Sequence, residues 1–347
     1  MSRIYLDHNA TAPLRAQARE AMIAAMEVTG NPSSVHAEGR AAKAIIECAR
    51  ADIAEAAGAA SADIVFVSGA TEASALALEG RGLDGAAIEH DAVAAWVSDA
   101  LPVDAEGRVT VADPGRSVLQ LANSETGVIQ DLPAGLACSD ITQGFGRLPF
   151  AFDWSGLDMA ILSAHKFGGP KGMGALILRR GTDLAARIRG GGQEMGRRAG
   201  TENVIGIAGM AAAARAAQRD LEDGVWDRVE TLRDMMERAV ESAASDLIFA
   251  GRGAARLPNT SCFAARGWKG ETQVMAMDLA GIAISAGSAC SSGKVRASRV
   301  LTAMGYDSDV AQSAIRVSLG VETTEDQVLR FAQAWGSAYR KMRARAA

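Results

Sequence analysis

Short apolar runs alternate with longer amphipathic segments over the first part of the chain. Each run has the length of a strand, and the segments between the runs repeat their apolar residues at helical spacing. Alternation of this kind is typical of a mostly parallel sheet that helices cover on both faces. The pattern predicts helices at 12–28, 36–57 and 71–78, and strands at 63–67, 86–88, 118–122, 136–138, 159–162 and 175–178.

The second part of the chain has a different pattern. From about residue 201 it becomes mainly helical, first in an alanine-rich stretch to residue 219 and then in a helix at 225–244. Short strands then mix with helices, which predicts a second, α+β lobe with strands at 260–263, 283–285 and 315–318 and a last helix at 324–342. We therefore expect a large domain over residues 12–228 and a small domain that combines residues 1–11 with residues 229–347.

Composition and charge exclude several classes of protein. The chain has 347 residues, a net charge of −5 and no basic block, so nucleic acid is not an expected partner. No apolar run approaches the roughly 20 residues that span a bilayer, and the first residues lack a signal-peptide pattern. We therefore expect a cytoplasmic protein that does not enter a membrane. The four cysteines are widely spaced without a Cys-x-x-Cys pair, which argues against a zinc site or a disulfide framework.

The segment 162–172 carries the most distinctive chemistry. It reads Leu-Ser-Ala-His-Lys-Phe-Gly-Gly-Pro-Lys-Gly and places Lys166 just after a predicted strand. Lysine is costly to bury, and a half-buried lysine makes a good Schiff-base amine. Only six of the 36 basic residues are lysines, so a lysine at this position is conspicuous. Taken alone, the segment also fits a surface turn with two solvated lysines.

Two further motifs follow predicted strands. Ser68-Gly69-Ala70-Thr71 opens a helix, whose free N–H groups and dipole can bind phosphate. Asp140 and Gln143 follow the run at 136–138, at the strand end where open α/β sheets place ligand chemistry. A carboxylate there can hold the pyridine nitrogen of pyridoxal phosphate protonated. Each motif by itself also fits an ordinary capped turn.

Two polar residues end neighbouring strands. His90 follows the strand at 86–88, and an imidazole there can stack on a cofactor ring and move protons near neutral pH. A lone histidine is, however, more often structural. Asn123 ends the strand at 118–122 and can donate to a cofactor oxygen or to a substrate carboxylate.

Taken in order, these motifs make the chain resemble the cysteine desulfurases of the class-V aminotransferase family, in the subgroup that serves nitrogen fixation and iron–sulfur cluster assembly. The resemblance extends nearly from end to end, and the ordered set of motifs is specific. It implies an α/β protein of PLP-dependent transferase fold type I, with a mostly parallel seven-stranded sheet and a smaller α+β domain. It rests on residues 5–11, 31–36, 68–73, 89–90, 140–143, 163–166, 190–194, 198–203, 257–260, 287–293 and 315–318.

The resemblance also implies a role for each candidate site residue. Lys166 would bind the cofactor, pyridoxal 5'-phosphate, covalently, and Asp140 would pair with its pyridine nitrogen. Gln143 would reach the ring hydroxyl, while His90 would stack on the ring and serve in catalysis. The phosphate would be bound by Gly69, Ala70, Thr71, Ser163 and His165, with Thr201 supplied by the partner subunit of a homodimer. L-cysteine would be bound by Asn9, Asn123 and Arg316, and no metal is expected.

Cys290 lies in a segment of glycines and serines that predicts a flexible polar loop. Lys294 and Arg296 nearby favour its thiolate. The resemblance implies that Cys290 attacks the substrate sulfur, that L-alanine leaves, and that a persulfide remains on Cys290. The sulfur would then pass to an acceptor or scaffold protein for the assembly of iron–sulfur clusters or other sulfur-containing cofactors. The remaining cysteines, Cys48, Cys138 and Cys262, lie in helix-like or strand-like sequence that fits inert side chains.

Two other functions stay open at the level of sequence. A class-V relative can act on another amino acid, as a selenocysteine lyase or an aminotransferase, although Cys290 in its polar loop argues against this. A non-enzymatic sulfur-relay scaffold can keep the fold, but it has no need for Lys166, Asp140 and Arg316. The span from residue 90 to residue 123 and the tail after Arg316 are shorter than in most relatives, which bears on partner docking.

Overall fold

The computed structural model describes residues 3–244, 246–287 and 297–346, without the side chains of residues 345 and 346. Its strands are β1 Ile4–Tyr5, β2 Ala62–Val67, β3 Asp84–Ala86, β4 Ser98–Leu101, β5 Ser139–Asp140, β6 Met159–Ser163, β7 Gly174–Arg179, β8 Leu247–Phe249, β9 Thr260–Ala265, β10 Ile282–Ala283, β11 Ser285–Ala286 and β12 Ala314–Ser318. Its helices are α1 Ala16–Met26, α2 Ala37–Ala56, α3 Ala70–Leu78, α4 Asp91–Ala94, α5 Phe152–Ser155, α6 Val204–Glu222, α7 Val225–Ala243, α8 Gly270–Leu279, α9 Arg299–Ala303, α10 Ser308–Ser313 and α11 Glu325–Ala346.

The larger sheet has the strand order β2-β7-β6-β5. β5 runs parallel to β6, whereas β7 is antiparallel to both of its neighbours. The sheet continues through parallel bridges from Cys138 to Val118 and from Ser117 to Asp84 in β3, and β3 pairs in parallel with β4. Seven segments of the described chain thus lie side by side. The predicted mostly parallel α/β sheet is confirmed, with β7 as its antiparallel member.

Strand β2 shows why both faces of this sheet are covered. Its side chains alternate in direction, so Ile64 and Phe66 pack in the core that contains α1, α2 and α6. Val65 and Val67 pack on the other face with α3. Burying each of these side chains contributes about 1.5–3 kcal/mol, so the register of β2 is strongly specified.

The C-terminal part builds a second, antiparallel sheet with the order β11-β12-β9-β8. It packs against α7 and α11 in a core that includes Phe263 and Trp335. β1 joins this part of the molecule, because it pairs in parallel with β10, and Asp7 forms a bridge with Ser318. Residues 4–7 therefore lie beside strands from the end of the chain.

Several predicted elements differ from the structure. The strand expected at 136–138 is displaced to β5, β3 ends at Ala86 instead of continuing to residue 88, and the strand expected at 283–285 is divided into β10 and β11. α1 begins at Ala16 and not at residue 12, because the Ala12 N–H donates to the His165 carbonyl at 2.8 Å and the Arg15 N–H donates to the Gly168 carbonyl at 2.9 Å. The segment 118–122 forms isolated bridges instead of a continuous strand. α2 lies within one residue of its predicted bounds, and Nδ1 of His36 accepts a hydrogen bond from the Gly39 N–H at 3.3 Å as its cap.

Among the described helices, none has both the length and the apolar character needed to cross a membrane.

Candidate active site

A cavity of about 520 Å³ lies where β2, β5 and β6 end. These three strands point the same way, so their carboxyl ends meet at one edge of the sheet, where open α/β sheets bind ligands. The structure brings many of the residues singled out from the sequence onto the wall of this one cavity. They are Gly69, Ala70, Thr71, His90, Asp140, Gln143, Ser163, His165 and Lys166.

Lys166 is half-buried at the end of a single 3₁₀ turn, Ala164–Lys166, that directly follows β6. Its Nζ donates to the carbonyl oxygen of Asn9 at 2.6 Å and to that of Ala10 at 2.9 Å. Two carbonyls of the N-terminal segment therefore hold the amine at the cavity wall. The covalent bond of this amine to a cofactor stays a prediction.

The first turn of α3 forms another part of the wall. N–H groups in a first helical turn have no partner within the helix, and the helix dipole favours an anion there. A Cβ at Gly69 would have open space around it, because, apart from the residues adjacent in sequence, Oγ of Ser163 at 3.8 Å is the one neighbour within 4 Å among the described residues. Thr71 and Ser163 add two hydroxyl groups. This corner of the cavity has room and donors for a phosphate.

His165 is uncharged at neutral pH. Burial, together with the nearby charges of Lys166 and Lys171, lowers the pKa of His165 to about 4. The neutral ring can donate one N–H without adding positive charge. A bound dianion would oppose this shift, because negative charge favours the protonated imidazole.

Asp140 and Gln143 have fixed orientations. Asp140 is buried, and its Oδ1 accepts a hydrogen bond from the Thr142 N–H at 2.9 Å. Gln143 is also buried; its Nε2 donates to the Asn9 carbonyl at 3.0 Å, and its Oε1 accepts from Arg147 at 2.7 Å. Both side chains are therefore held in place by their neighbours before a ligand binds.

His90 and Thr201 occupy different positions relative to the cavity. His90 lies on the wall, and its Nδ1 accepts from the Ala92 N–H at 3.1 Å, so the proton of a neutral ring sits on Nε2. Thr201 is exposed and lines a smaller pocket of about 210 Å³ that shares Ser68 and Gly172 with the cavity. The contribution of Thr201 from a partner subunit stays a prediction.

The groups on the wall fit pyridoxal phosphate by their chemistry. A helix N-terminus and two hydroxyl groups suit its phosphate, and the open space at Gly69 leaves room for that group. The Asp140 carboxylate suits a pyridinium nitrogen, and the Lys166 amine suits an aldehyde. These three functions stand on one cavity wall, as the cofactor requires.

Asn9 and Asn123 lie behind the wall, and both are buried. Oδ1 of Asn123 accepts from the N–H groups of Glu125 and Thr126, both at 2.9 Å, and thereby closes a turn. Oδ1 of Asn9 accepts from Arg147 at 2.9 Å. Both side chains thus have structural partners, and their contact with a substrate stays a prediction.

Arg316 is buried behind Ser124, a residue of the cavity wall. Its Nη2 forms an ion pair with Oδ1 of Asp7 at 2.8 Å, and its Nη1 donates to the Ser124 carbonyl at 2.9 Å. Nε of Arg316 is buried without a hydrogen-bond partner in the described part of the chain. A buried charged group with an unused donor beside the wall suits a carboxylate ligand.

Cys290 lies outside the described residues, and its role stays a prediction. The other three cysteines are described, and none lines the cavity. Burial raises the pKa of Cys138, and it raises the pKa of Cys262 to about 12, so neither forms a thiolate readily. Cys48 is exposed on α2. Among the described residues, no three His, Cys, Asp or Glu side chains gather as a metal site.

Two residues near the cavity were not identified from the sequence. Arg147 follows Gln143 by four positions, a spacing that brings side chains together in helical turns and was therefore a usable signal. Glu89 precedes His90, and nothing in the sequence shows that its carboxyl group is buried. Oε1 of Glu89 accepts from the Gln120 N–H at 2.9 Å, whereas its Oε2 is buried without a partner in the described structure.

Glu89 makes stability depend on pH. Burial, with the nearby Asp140 charge, raises the pKa of Glu89 from 4.5 to about 8. The contribution of the protonated Glu89 side chain to the free energy of unfolding is therefore fully present below about pH 4.5, and it is lost as the pH rises through the folded-state pKa. Glu89→Gln removes this loss. We expect the stability of the variant relative to wild type to increase between pH 5 and pH 8, by at most about 1.4 kcal/mol per pH unit. Urea unfolding of cofactor-free protein at several pH values measures this; a difference that is constant with pH would contradict it.

The site geometry can be compared with known proteins. The family described as aminotransferase class-V matches residues 4–96 and 116–331. The chain belongs to this family. A protein named cysteine desulfurase IscS, from Dictyoglomus turgidum, is 37% identical in an alignment that covers 94% of this chain and 91% of that protein.

Solved structures agree with this assignment. A NifS-like protein from Rickettsia africae superimposes with a TM-score of 0.87 at 31% identity, over 97% of this chain and 99% of that one. A structure described as SspA in complex with cysteine has a TM-score of 0.74 at 26% identity, over 92% of this chain and 100% of that one. The chain is therefore similar over nearly its whole length to these solved structures.

The match to the class-V family is interrupted at residues 97–115. This interval lies inside the span from residue 90 to residue 123, which is expected to be shorter than in most relatives. It contains β4, which pairs in parallel with β3 and forms the last segment of the larger sheet. The unmatched interval thus falls at the edge of the sheet, and the residues of the cavity wall lie outside it.

Proposed function

We propose that this class-V family member is a pyridoxal-phosphate-dependent cysteine desulfurase, which converts L-cysteine to L-alanine and leaves a persulfide on Cys290. The observation that carries the proposal is the position of Lys166. Its amine stands on the wall of one cavity together with the first turn of α3 and the Asp140 carboxylate. A named cysteine desulfurase with 37% identity over most of this chain supports the same activity.

The bound cofactor would supply an electron sink for the bonds at the substrate Cα. Around it, Asp140 would hold a proton on the ring nitrogen, and His90 would face the ring. Lys166 Nζ would move a proton at the substrate Cα. The Cys290 thiolate would attack the substrate sulfur, so that a sulfur–sulfur bond forms, the carbon–sulfur bond breaks, and its electron pair stays with the carbon skeleton that leaves as alanine after protonation.

The proposal includes a homodimer and a protein acceptor for the sulfur. Thr201 is exposed in the single chain and borders a pocket that shares Ser68 with the cavity. A partner subunit placed over this pocket would bring a second copy of the segment around Thr201 to the phosphate corner. The persulfide on Cys290 would pass to an acceptor that assembles iron–sulfur clusters or related cofactors.

The function is tested by product analysis. Protein loaded with pyridoxal phosphate is given L-cysteine, alanine and sulfide are measured in the presence of a thiol, and the modified peptide is identified by mass spectrometry. In the presence of the thiol, which reduces the persulfide, equal amounts of alanine and sulfide are expected; in a parallel sample without thiol, added sulfur is expected on the Cys290 peptide. Turnover of L-selenocysteine or of an amino-group acceptor, without turnover of L-cysteine, would replace this function by another class-V reaction.

Arg316→Lys is expected to raise the Michaelis constant for L-cysteine at least about tenfold while the cofactor spectrum stays unchanged. A guanidinium binds a carboxylate through two parallel hydrogen bonds, whereas an ammonium does not, and losing such a contact costs about 2–5 kcal/mol. Steady-state kinetics and a visible spectrum measure the two quantities.

Arg256→Lys is the matched control for Arg316. Arg256 is also a largely buried arginine in an ion pair, with Glu237 at 2.8 Å, but its hydrogen bonds go to Glu237, whereas Arg316 donates to Ser124 of the cavity wall. It should lower stability without changing the Michaelis constant. If both variants keep the wild-type Michaelis constant, Arg316 does not bind the substrate carboxylate.

A further inference from the structure

Arg147 is a buried cation for which the described part of the chain offers no anionic partner. Its side chain is buried in the turn after β5, and no carboxylate of the described chain lies within ion-pair distance of it. Burial, followed by the nearby charges of Arg316 and Arg15, lowers the pKa of Arg147 to about 9. A buried charge of this kind lowers the stability of the fold, because removing a charge from water costs free energy that an ion pair normally offsets. Its presence therefore calls for another explanation.

The hydrogen bonds of Arg147 converge on the cofactor site. Nη1 donates to Oδ1 of Asn9 at 2.9 Å and to Oε1 of Gln143 at 2.7 Å. Nη2 donates to the carbonyl oxygen of Lys166 at 3.0 Å. One rigid guanidinium thus joins three segments that are distant in sequence, and two of its partners line the cavity.

These contacts determine which way the amides point. Because Oε1 of Gln143 is held by Arg147, its Nε2 must face the other way, where it donates to the Asn9 carbonyl at 3.0 Å. That same carbonyl accepts from Lys166 Nζ at 2.6 Å. Nε2 of Gln143 has a second N–H, and Gln143 is on the cavity wall, so a fixed amide presents a donor to a ligand. A charged donor on Oε1 also polarises the amide and strengthens that hydrogen bond.

We propose that Arg147 is a positioning residue that orients Gln143 and the Lys166 segment for binding of pyridoxal phosphate. The inference rests on the proposed function. Arg147 does not line the cavity and acts through its two partners on the wall. The negative charge of a bound phosphorylated cofactor would also partly neutralise the positive charge of Arg147, for which the described part of the chain supplies no carboxylate.

Arg15 provides a matched control for this proposal. Its Nε donates to the carbonyl of Phe167, the residue after Lys166, at 2.8 Å. Unlike Arg147, Arg15 has a carboxylate partner, Asp220, at 2.6 Å, and it makes no hydrogen bond to Gln143. A purely structural role in holding the lysine loop is therefore open to both arginines, whereas orientation of the Gln143 amide is open only to Arg147.

The test measures binding of pyridoxal phosphate to cofactor-free protein by absorbance titration. Arg147→Met is expected to raise the dissociation constant at least about tenfold, the effect of losing a hydrogen bond to a charged group. Arg15→Met should stay within about twofold of wild type, even where both variants unfold at lower temperature. If Arg147→Met does not fold, Arg147→Lys is compared with Arg15→Lys; it should weaken binding several-fold, because a lysine lacks the planar fork.

A double-mutant cycle separates positioning from a general structural effect. Arg147→Met and Gln143→Met are measured alone and together. The loss of affinity in the double variant should be clearly smaller than the product of the two single losses. Once Gln143 is replaced by methionine, there is no amide for Arg147 to orient, so removing Arg147 has little further effect. Independent effects, or equal losses in the Arg147 and Arg15 variants, would overturn the positioning role while leaving the proposed function intact. Wild-type protein that binds no pyridoxal phosphate would overturn both.

Discussion

Lys166→Ala should give a folded protein that loses its covalent link to pyridoxal phosphate and nearly all of its desulfurase activity. The variant keeps the helix terminus of α3 and the Asp140 carboxylate, so the cofactor still has its non-covalent contacts. It lacks the amine that would move the proton at the substrate Cα, and a positioned acid–base group contributes about 10²–10⁴ in rate. Borohydride reduction followed by peptide mapping measures the link, and alanine release measures the activity.

Lys171 is the matched control for this experiment. It lines the same cavity and is also close enough to lower the pKa of His165, but it has no place in the proposed chemistry. Lys171→Ala should still carry the reduced cofactor on Lys166. Attachment of the cofactor to any other lysine in the wild-type protein would show that Lys166 has been assigned wrongly.

Cys290→Ser should bind pyridoxal phosphate and L-cysteine with wild-type affinity and should release alanine slower by several orders of magnitude. A serine hydroxyl is not ionised near neutral pH and cannot accept sulfur as a thiolate does, so the reaction stops before the carbon–sulfur bond breaks. Titration of the cofactor spectrum with L-cysteine measures binding. Rapid-quench analysis of alanine measures the step that is lost.

The three other cysteines serve as controls for Cys290. Cys138 and Cys262 are fully buried with raised pKa values, and Cys48 lies exposed on α2 away from the cavity. Replacing Cys48 by serine should leave the kinetics unchanged, and exchange of the buried pair by alanine should affect mainly stability. Sulfur found on one of these three residues, or full activity of Cys290→Ser, would require a different reaction.

The larger elements of the fold were predictable because local pattern and tertiary packing agree in them. β2 is apolar from Ile64 to Val67 and β6 from Met159 to Leu162, as expected of strands covered on both faces, and their predicted bounds were close to those observed. The start of α1 was not predictable, because the N–H groups of Ala12 and Arg15 are bound by the loop around Lys166. That competition between a local helix and a distant loop leaves no mark on the sequence.

The candidate site could be predicted where a residue follows a strand, since the strand end already sets its position. Lys166, Asp140 and His90 are of this kind, and all three stand on the wall of one cavity. Arg147 and Glu89 were missed because what distinguishes them is a charged group buried without an oppositely charged partner among the described residues. The sequence does not show such burial. Asn9 and Asn123 were recognised as polar residues in motifs, but only coordinates show that their side chains face the interior.

The N-terminal segment imposes an order on synthesis. Residues 4–7 leave the ribosome long before their strand partners, which lie near Ile282 and Ser318. At about 5–20 residues per second, roughly 15–60 seconds pass before those partners exist. During that time Ile4 and Leu6 lack the strand partners against which they are buried in the folded chain. The carbonyl oxygens of Asn9 and Ala10 that hold the Lys166 amine belong to the same segment, so the geometry of the amine depends on residues synthesised far apart in time.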